Sequence, residues 1–108
     1  MVKHIVFWNV RDDEKKEENM TEMKKRLTSL VGKIDGLISA EVGFNYNPNG
    51  YDLALYSIFK DKEALDSYQV HPEHLKVKEF VHSVITDRCC QSAMDILETA
   101  GIRILGIS

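Results

Sequence analysis

Apolar and polar residues alternate in ways that divide the first half of the chain into three strands and one helix. Residues 2–10 (VKHIVFWNV) are dense in β-branched and aromatic residues, which predicts a strand. From Asp13 to Lys33, apolar residues recur with a helical period, which predicts a long amphipathic helix. A second strand is predicted over Leu37 to Phe44, and the turn sequence NYNPNG leads from it into a third over Tyr51 to Lys60.

The second half of the chain predicts two helical segments and a last strand. Asp61 suits the N-cap of the first helix, and Pro72 suits the first position of the next, which runs to about His82. Pro72 also disfavours helical geometry at His71, so the chain bends there. Ser83 to Cys90 (SVITDRCC) predicts the fourth strand. The order β-α-β-β-α-β predicts an α+β, ferredoxin-like fold, an antiparallel sheet with its helices on one face.

The first and third strands carry apolar residues on both faces, which predicts a homodimer. In the first strand, Val6 and Trp8 lie on one side and Ile5 and Phe7 on the other. An antiparallel sheet with helices on one face normally has a polar opposite face. Because a second copy of the sheet can cover an apolar face, we expect a homodimer through the sheet faces, in the form of a dimeric α/β barrel.

The predicted strands and helices all fall within residues 1–90, so we predict one domain there and a C-terminal tail over residues 91–108. In the tail, Ser92 is a candidate cap for a short helix through Leu97, and residues 102–105 are a candidate strand. An apolar segment of this kind is unfavourable in water. We therefore expect the tail to pack against the domain or across a dimer.

Composition argues against several classes of partner. The net charge is −3, and no basic stripe compensates for it, so we expect no nucleic-acid partner. No stretch approaches the roughly 20 apolar residues of a membrane helix, and the short apolar run from Ile5 to Trp8 has no cleavage pattern behind it. The adjacent Cys89 and Cys90 point to opposite faces of a strand, which indicates reduced thiols. A cytoplasmic protein without membrane contact is the expectation.

The candidate chemistry lies in one polar cluster, formed by Tyr68, His71 and His74 beside Pro72. A neutral imidazole can take a proton next to a carbonyl group while a phenol donates a hydrogen bond to the developing oxyanion. The same spacing also fits a structural role. In that interpretation His71 caps the second helix, His74 bonds a backbone carbonyl and Tyr68 packs with its hydroxyl at the surface. The residues alone leave both interpretations open.

His4 and Trp8 are two further candidate positions on the first strand. A metal site is not expected. His4 lies in mid-strand, where a buried core histidine is the simpler interpretation, and Trp8 is core or pocket wall. No carboxylate or thiol is spaced to complete, with His71, His74 and His82, the roughly four ligands of zinc. We therefore predict neither a metal nor a cofactor.

Four segments of the chain resemble the stress-responsive A/B barrel (Dabb) family of dimeric α/β-barrel proteins. They are VKHIVFW, YDLALYSIFKDKEALDSYQ, VHPEHLKVKEFV and the TDR of the last strand, and they follow the family's order from Val2 to Arg88. The resemblance implies a ferredoxin-like monomer and a dimer formed through the sheets. It also implies a small, largely apolar pocket between the sheet and the helices.

The resemblance also suggests roles for individual residues. A plant polyketide cyclase of this family closes an aromatic ring by an intramolecular aldol reaction without a cofactor. The base of that enzyme matches His74, and the tyrosine that polarises a carbonyl group matches Tyr68. Two pocket-lining histidines match His4 and His71 by position. A further pocket histidine falls on Leu53, where this sequence departs from the cyclase.

Three hypotheses for the function follow. The first is a homodimeric barrel that binds an unidentified small molecule in a small apolar pocket. The second is a cofactor-independent cyclase or related acid/base enzyme acting on a carbonyl compound, with His74 as base and Tyr68 as hydrogen-bond donor. The third is a structural, stress-associated dimer with no ligand. The ligand-binding residues predicted beside the catalytic pair are His4, Trp8, Leu53 and His71.

Overall fold

The computed structural model describes residues 1–94, apart from the side chains of residues 91, 93 and 94. Its strands pair in the order β2-β3-β1-β4, and all pairs are antiparallel: β1 (Val2–Val10), β2 (Leu37–Phe44), β3 (Leu53–Phe59) and β4 (Ile85–Met94). The helices within this range are α1 (Lys16–Thr28), α2 (Lys62–Val70) and α3 (Pro72–Val84). This arrangement confirms the predicted ferredoxin-like fold. No helix of the described residues is long and apolar enough to cross a membrane.

The hydrophobic core lies between one face of the sheet and the helices. On β1 this face carries Val6 and Trp8, which pair with Leu55 and Leu53 of β3. The core continues into α1 and α3 through four of their buried side chains, Met23, Leu27, Val77 and Val81. The sheet and these two helices therefore enclose the space in which a pocket can form.

The opposite face of the sheet is apolar but only partly covered. On β3 the exposure of the side chains alternates, so that buried residues of the core face are separated by half-buried residues of the other face. The half-buried side chains of the open face include Phe7 of β1 and Ala54, Tyr56 and Ile58 of β3. This is the apolar second face that the pattern of the first and third strands predicts.

The first helix is shorter than the sequence predicts. It begins at Lys16 rather than Asp13, because the Asp13 carboxylate accepts a hydrogen bond from the Lys15 amide and holds a turn there. After Thr28 the backbone bonds tighten, and the amide of Leu30 donates to the carbonyl of Leu27 at 3.3 Å. The apolar period continues through these turns, so periodicity alone extended the helix too far.

The junction between α2 and α3 follows the local rules that predicted it. The Asp61 carboxylate accepts a hydrogen bond from the Ala64 amide at 2.8 Å, which caps α2. His71 is extended, with φ of −68° and ψ of 133°, and its Nδ1 accepts a hydrogen bond from the Glu73 amide at 3.1 Å. Pro72 occupies the first turn of α3. The chain therefore changes direction at His71, as predicted.

The last strand extends beyond its predicted end at Cys90. It runs to Met94 because β1 is long enough to pair with it back to Val2. Ser92 consequently lies in β4, and the helix that it was predicted to cap does not begin there. The remaining part of the predicted tail lies outside the described residues, so its packing stays a prediction.

Gly36 provides a test of how α2 is seated on the body of the protein. Its φ is +85°, and a Cβ built on it would lie 2.5 Å from the Cβ of Ala64 in α2. We expect Gly36→Ala to lower the free energy of unfolding by about 2–4 kcal/mol, because it adds overpacking to backbone strain. Urea titration of the purified protein measures this loss.

Gly32 is the matched control for that substitution. Its φ is +91°, but a Cβ there would meet no atom within 4 Å. Gly32→Ala should therefore cost only the backbone strain, about 1 kcal/mol. Equal losses in the two variants would show that Gly36 does not set the distance between its turn and α2.

Candidate functional site

A small cavity lies between the sheet and the helices, with a volume of about 60 Å³. Four of the predicted site residues line it together: His4, Trp8, Tyr68 and His74. An engineered cavity of roughly 150 Å³ holds a benzene ring, so this space fits a few small groups rather than a large ligand. The structure thus brings the predicted catalytic pair and two predicted ligand-binding residues to one place.

Tyr68 and His74 stack on each other inside this cavity. Their ring centroids are 4.0 Å apart, and the ring planes differ by 27°. Tyr68 lies in the last turn of α2 and His74 in the first turn of α3, so the bend at His71 places them face to face. Phe59 of β3 supports Tyr68 from the sheet in an edge-to-face contact at 4.9 Å. The pair is therefore fixed by packing from both sides.

The Tyr68 hydroxyl is a protonated hydrogen-bond donor without a partner. The residue is 4% exposed, and its burial raises the pKa of the phenol to about 12. Within the described part of the chain, the hydroxyl makes no hydrogen bond. It can therefore donate to a group that enters the cavity.

The His74 imidazole favours its neutral form. Burial is the largest cause that lowers its pKa, and the positive charges of Lys78 and Arg88 lower it further. Hydrogen bonds to the backbone carbonyls of Gln69 and Tyr68 raise the pKa. Such bonds are what the structural interpretation of His74 predicts. Its buried Nδ1 nevertheless makes no hydrogen bond to any described residue. A neutral ring with an unpaired nitrogen is suited to accept a proton or a hydrogen bond.

His4 forms the sheet side of the cavity and is also neutral. It is 5% exposed, and its Nδ1 lies 2.7 Å from the Ser92 hydroxyl oxygen. Burial lowers its pKa to about 4, and the charges of Arg88 and His74 contribute to this shift. Because Ser92 engages Nδ1, the other ring nitrogen is the one left for a ligand.

The structure does not bring two of the predicted site residues, His71 and Leu53, to this cavity. The Nδ1 of His71 is already used in capping α3, and the residue borders a separate surface depression beside Gly36. Leu53 is 1% exposed and packs in the core next to Trp8, at the end of β3. Neither side chain lines the space that contains Tyr68 and His74.

Sequence reasoning missed four polar residues that line the cavity, Gln69, Lys78, His82 and Arg88. A signal for two of them was present, because Lys78 and His82 follow His74 at intervals of one helical turn and so share its face of α3. Arg88 pairs with Trp8 across β1 and β4, and this register is not visible in the sequence. The residues of a cavity are thus easier to find on one helix than across two strands.

The histidines around α3 do not form a metal centre. His71 caps the helix, whereas His74 and His82 line the cavity. Among residues 1–94, no group of three histidine, cysteine, aspartate or glutamate side chains is placed to hold an ion.

Acid should destabilise the protein through His4. Its pKa is 6.5 in the unfolded chain and about 4 in the folded protein, so the unfolded chain binds a proton more readily between these values. We expect the free energy of unfolding to fall as the pH drops through this window, by at most about 3 kcal/mol from this residue. Imidazole NMR of the folded protein measures the pKa directly.

The variant His4→Gln isolates this contribution in urea titrations over the same pH range. Glutamine can still hydrogen-bond Ser92 but does not titrate, and the other groups, including His74, are common to both proteins. The difference in unfolding free energy between the two proteins should therefore change through the window. Parallel pH curves would contradict a buried, neutral His4.

Comparison with known proteins places this geometry in a family. The sequence matches the model of the stress responsive A/B barrel domain (Dabb) over residues 2–93. Comparison with curated proteins gives no match. A dimeric protein of unknown function with a ferredoxin-like fold from Bacteroides fragilis is 34% identical, with a TM-score of 0.78 over 85% of this chain and 93% of that chain.

Two more distant structures share the fold. A Dabb family protein from Mesorhizobium loti is 18% identical, with a TM-score of 0.70 over 88% of this chain and 96% of that chain. A hydroxynitrile lyase from Passiflora edulis is 14% identical, with a TM-score of 0.76 over 85% of this chain and 90% of that chain. The family model covers most of the chain, and the Bacteroides protein is similar along most of its length. The chain therefore belongs to the stress-responsive A/B barrel domain family.

Proposed function

We propose that this protein binds a small molecule in the cavity through Tyr68 and His74. The observation that carries the proposal is the pair of polar atoms left without partners there, the Tyr68 hydroxyl and the buried Nδ1 of His74. Buried polar groups are nearly always hydrogen-bonded, and an unpaired one such as the Nδ1 of His74 costs about 1–3 kcal/mol. A ligand that offers an acceptor to Tyr68 and a donor to His74 removes this cost.

The same atoms weigh against a purely structural dimer without a ligand. In a purely structural site, side chains would fill the space between the sheet and α3. The Nδ1 of His74 would then hydrogen-bond a protein group, as the Nδ1 of His71 does. His71 shows the structural alternative in this very chain, because its Nδ1 is engaged by a backbone amide. His74 has no equivalent partner on its Nδ1 among the described residues.

A second candidate is cofactor-independent acid/base catalysis on a carbonyl compound. It is favoured by the stacking of a neutral imidazole on a protonated phenol, 4.0 Å apart. A carbonyl oxygen bonded to Tyr68 would gain negative charge as His74 removes a proton from the neighbouring carbon. The hydroxynitrile lyase from Passiflora edulis is an enzyme on the same fold, and at 14% identity this likeness extends to the fold alone.

A binding screen tests the first proposal. Small ketones, aldehydes and amides are mixed with the protein and observed by ligand-detected NMR. We expect at least one to bind and Tyr68→Phe to weaken it about three- to tenfold, as the loss of one hydrogen bond implies. Tyr46→Phe is the matched control, because Tyr46 is 98% exposed and remote from the cavity. Equal affinity of the Tyr68→Phe and parent proteins would contradict the proposal.

Hydrogen exchange in D₂O separates the binder from the enzyme. If His74 acts as a base, a bound ketone should gain deuterium next to its carbonyl group, and His74→Gln should abolish this exchange even at ketone concentrations that saturate the variant. Binding without exchange in the parent protein supports the binder and rejects the catalyst.

We further propose that the chain is a homodimer in which the open sheet faces meet. The Bacteroides fragilis protein, 34% identical, is dimeric. In this chain the open face presents four half-buried apolar side chains: Phe7, Ala54, Tyr56 and Ile58. Burial of such a face against a second copy gives the hydrophobic gain that an antiparallel sheet of this size needs.

A charged substitution on that face tests the dimer. We expect the parent protein to sediment as a dimer at micromolar concentration and Ile58→Lys to sediment as a folded monomer, because the interface would have to bury an unpaired charge. Val70→Lys is the control, since Val70 is 71% exposed at the end of α2 and not on the sheet. A dimer that persists in Ile58→Lys would place the interface elsewhere.

The cytoplasm is the compartment that we propose for this protein. Cys89 and Cys90 are both free and both exposed. Exposed thiols remain reduced in the cytosol, whereas oxidising compartments favour their pairing.

A further inference from the structure

The cavity has a strongly basic lining. Besides His4, Tyr68 and His74, the titratable side chains that border it are Lys78, His82 and Arg88, and no aspartate or glutamate of residues 1–94 is among its lining residues. The chain as a whole carries a net charge of −3, so this local excess of positive charge runs against the overall balance. A site of this composition favours a negative ligand.

The two cations approach the cavity from different elements. Lys78 follows His74 by one turn of α3, and Arg88 lies on β4 opposite Trp8. Their charges reach the candidate site itself. Arg88 lowers the pKa of both His4 and His74, and Lys78 lowers that of His74. Both cations are exposed at the surface and border the cavity that holds the stacked pair.

Neither cation is neutralised by the protein within residues 1–94. Other basic side chains have carboxylate partners, such as Lys16 with Asp52 at 3.3 Å and Lys76 with Glu73 at 3.8 Å. Lys78 and Arg88 form no such pair in this part of the chain. The carboxylate adjacent to Arg88 in sequence, Asp87, belongs to the opposite face of the strand. Two unpaired cations beside a cavity are available to an anion.

We propose that the ligand of this cavity is a small oxo-carboxylate, with its carboxylate held by Arg88 and Lys78 and its carbonyl oxygen by the Tyr68 hydroxyl. This inference rests on the proposed function and names the class of its ligand. A guanidinium binds a carboxylate in a planar, bidentate manner, and an ammonium adds a further donor. The protonated hydroxyl of Tyr68 donates a hydrogen bond, and the carbonyl oxygen of the ligand accepts it. The volume of about 60 Å³ holds only the ketone end of such a compound, and its carboxylate lies at the exposed side chains of Lys78 and Arg88.

Acetoacetate and acetoacetamide form the matched pair of probes for this inference. They have the same number of heavy atoms and the same ketone, and they differ in the charge of one end. Titration followed by NMR of the full-length protein should show acetoacetate binding roughly tenfold more tightly than acetoacetamide. Arg88→Gln should abolish most of this preference, and Arg88→Lys should retain part of it. Inorganic phosphate, the third probe, should bind more weakly than acetoacetate.

Lys76→Gln is the control for charge in general. It removes the same unit of charge from α3 as Lys78→Gln, but Lys76 does not line the cavity. We expect Lys78→Gln to weaken acetoacetate about threefold and Lys76→Gln to leave it unchanged. Equal effects of the two lysine variants would overturn the inference, because they would report only the net charge.

The remaining outcomes separate the two proposals. If both probes bind equally and Tyr68→Phe weakens both, the proposed binding site stands and the carboxylate assignment fails. Tighter binding of inorganic phosphate would also overturn that assignment. If neither acetoacetate nor acetoacetamide binds, the oxo-carboxylate is rejected, and the broader screen with Tyr68→Phe decides the binding site independently.

Discussion

The candidate site depends on one backbone constraint, the break of the helix at His71 and Pro72. In a continuous helix, side chains six positions apart lie roughly 120° apart around the axis, so Tyr68 and His74 would face different directions. Pro72 has no amide hydrogen for the preceding turn and forces His71 into an extended conformation, which ends α2 and starts α3. The bend brings the two rings to a centroid distance of 4.0 Å. A proline that serves as the start of a helix thus also creates the geometry of the site.

The packing that holds this pair also sets its chemistry. Phe59 supports Tyr68 from the sheet, and the cavity is bordered by core residues, so Tyr68 is buried and His74 is half-buried with a buried Nδ1. Burial raises the pKa of the phenol and lowers that of the imidazole, because it disfavours the charged form of each. Both groups are consequently neutral, one as a donor and the other as an acceptor. Burial is the largest cause of both pKa shifts, and it leaves a hydrogen-bond donor and an acceptor side by side.

Local sequence rules predicted this junction. The features that depend on the register between strands were not predicted. The cap at Asp61, the bend at His71 and the helix start at Pro72 each depend on residues within a few positions, and all three are confirmed. The strand β4 was predicted to end at Cys90, and its continuation depends on pairing with β1, which no local pattern contains. For the same reason the sequence did not indicate that Arg88 borders the cavity. The position of Lys78 could be predicted, because it follows His74 by one helical turn. Family resemblance suggested His4 and His71 by position alone, and of the two only His4 borders the cavity, because the Nδ1 of His71 caps α3.

The strand β4 is part of the site rather than an edge beside it. Arg88 and Ser92 are four residues apart on a strand, so they share a face, and that face looks toward the cavity. Ser92 engages Nδ1 of His4, while the positive charge of Arg88 adds to burial, the largest cause, in lowering the pKa of both histidines. One strand therefore orients the histidine of the sheet and sets the charge of the space in front of it. A boundary at residue 90 would place Arg88 and Ser92 on different sides of it, although β4 continues through both and pairs with β1 along that whole length.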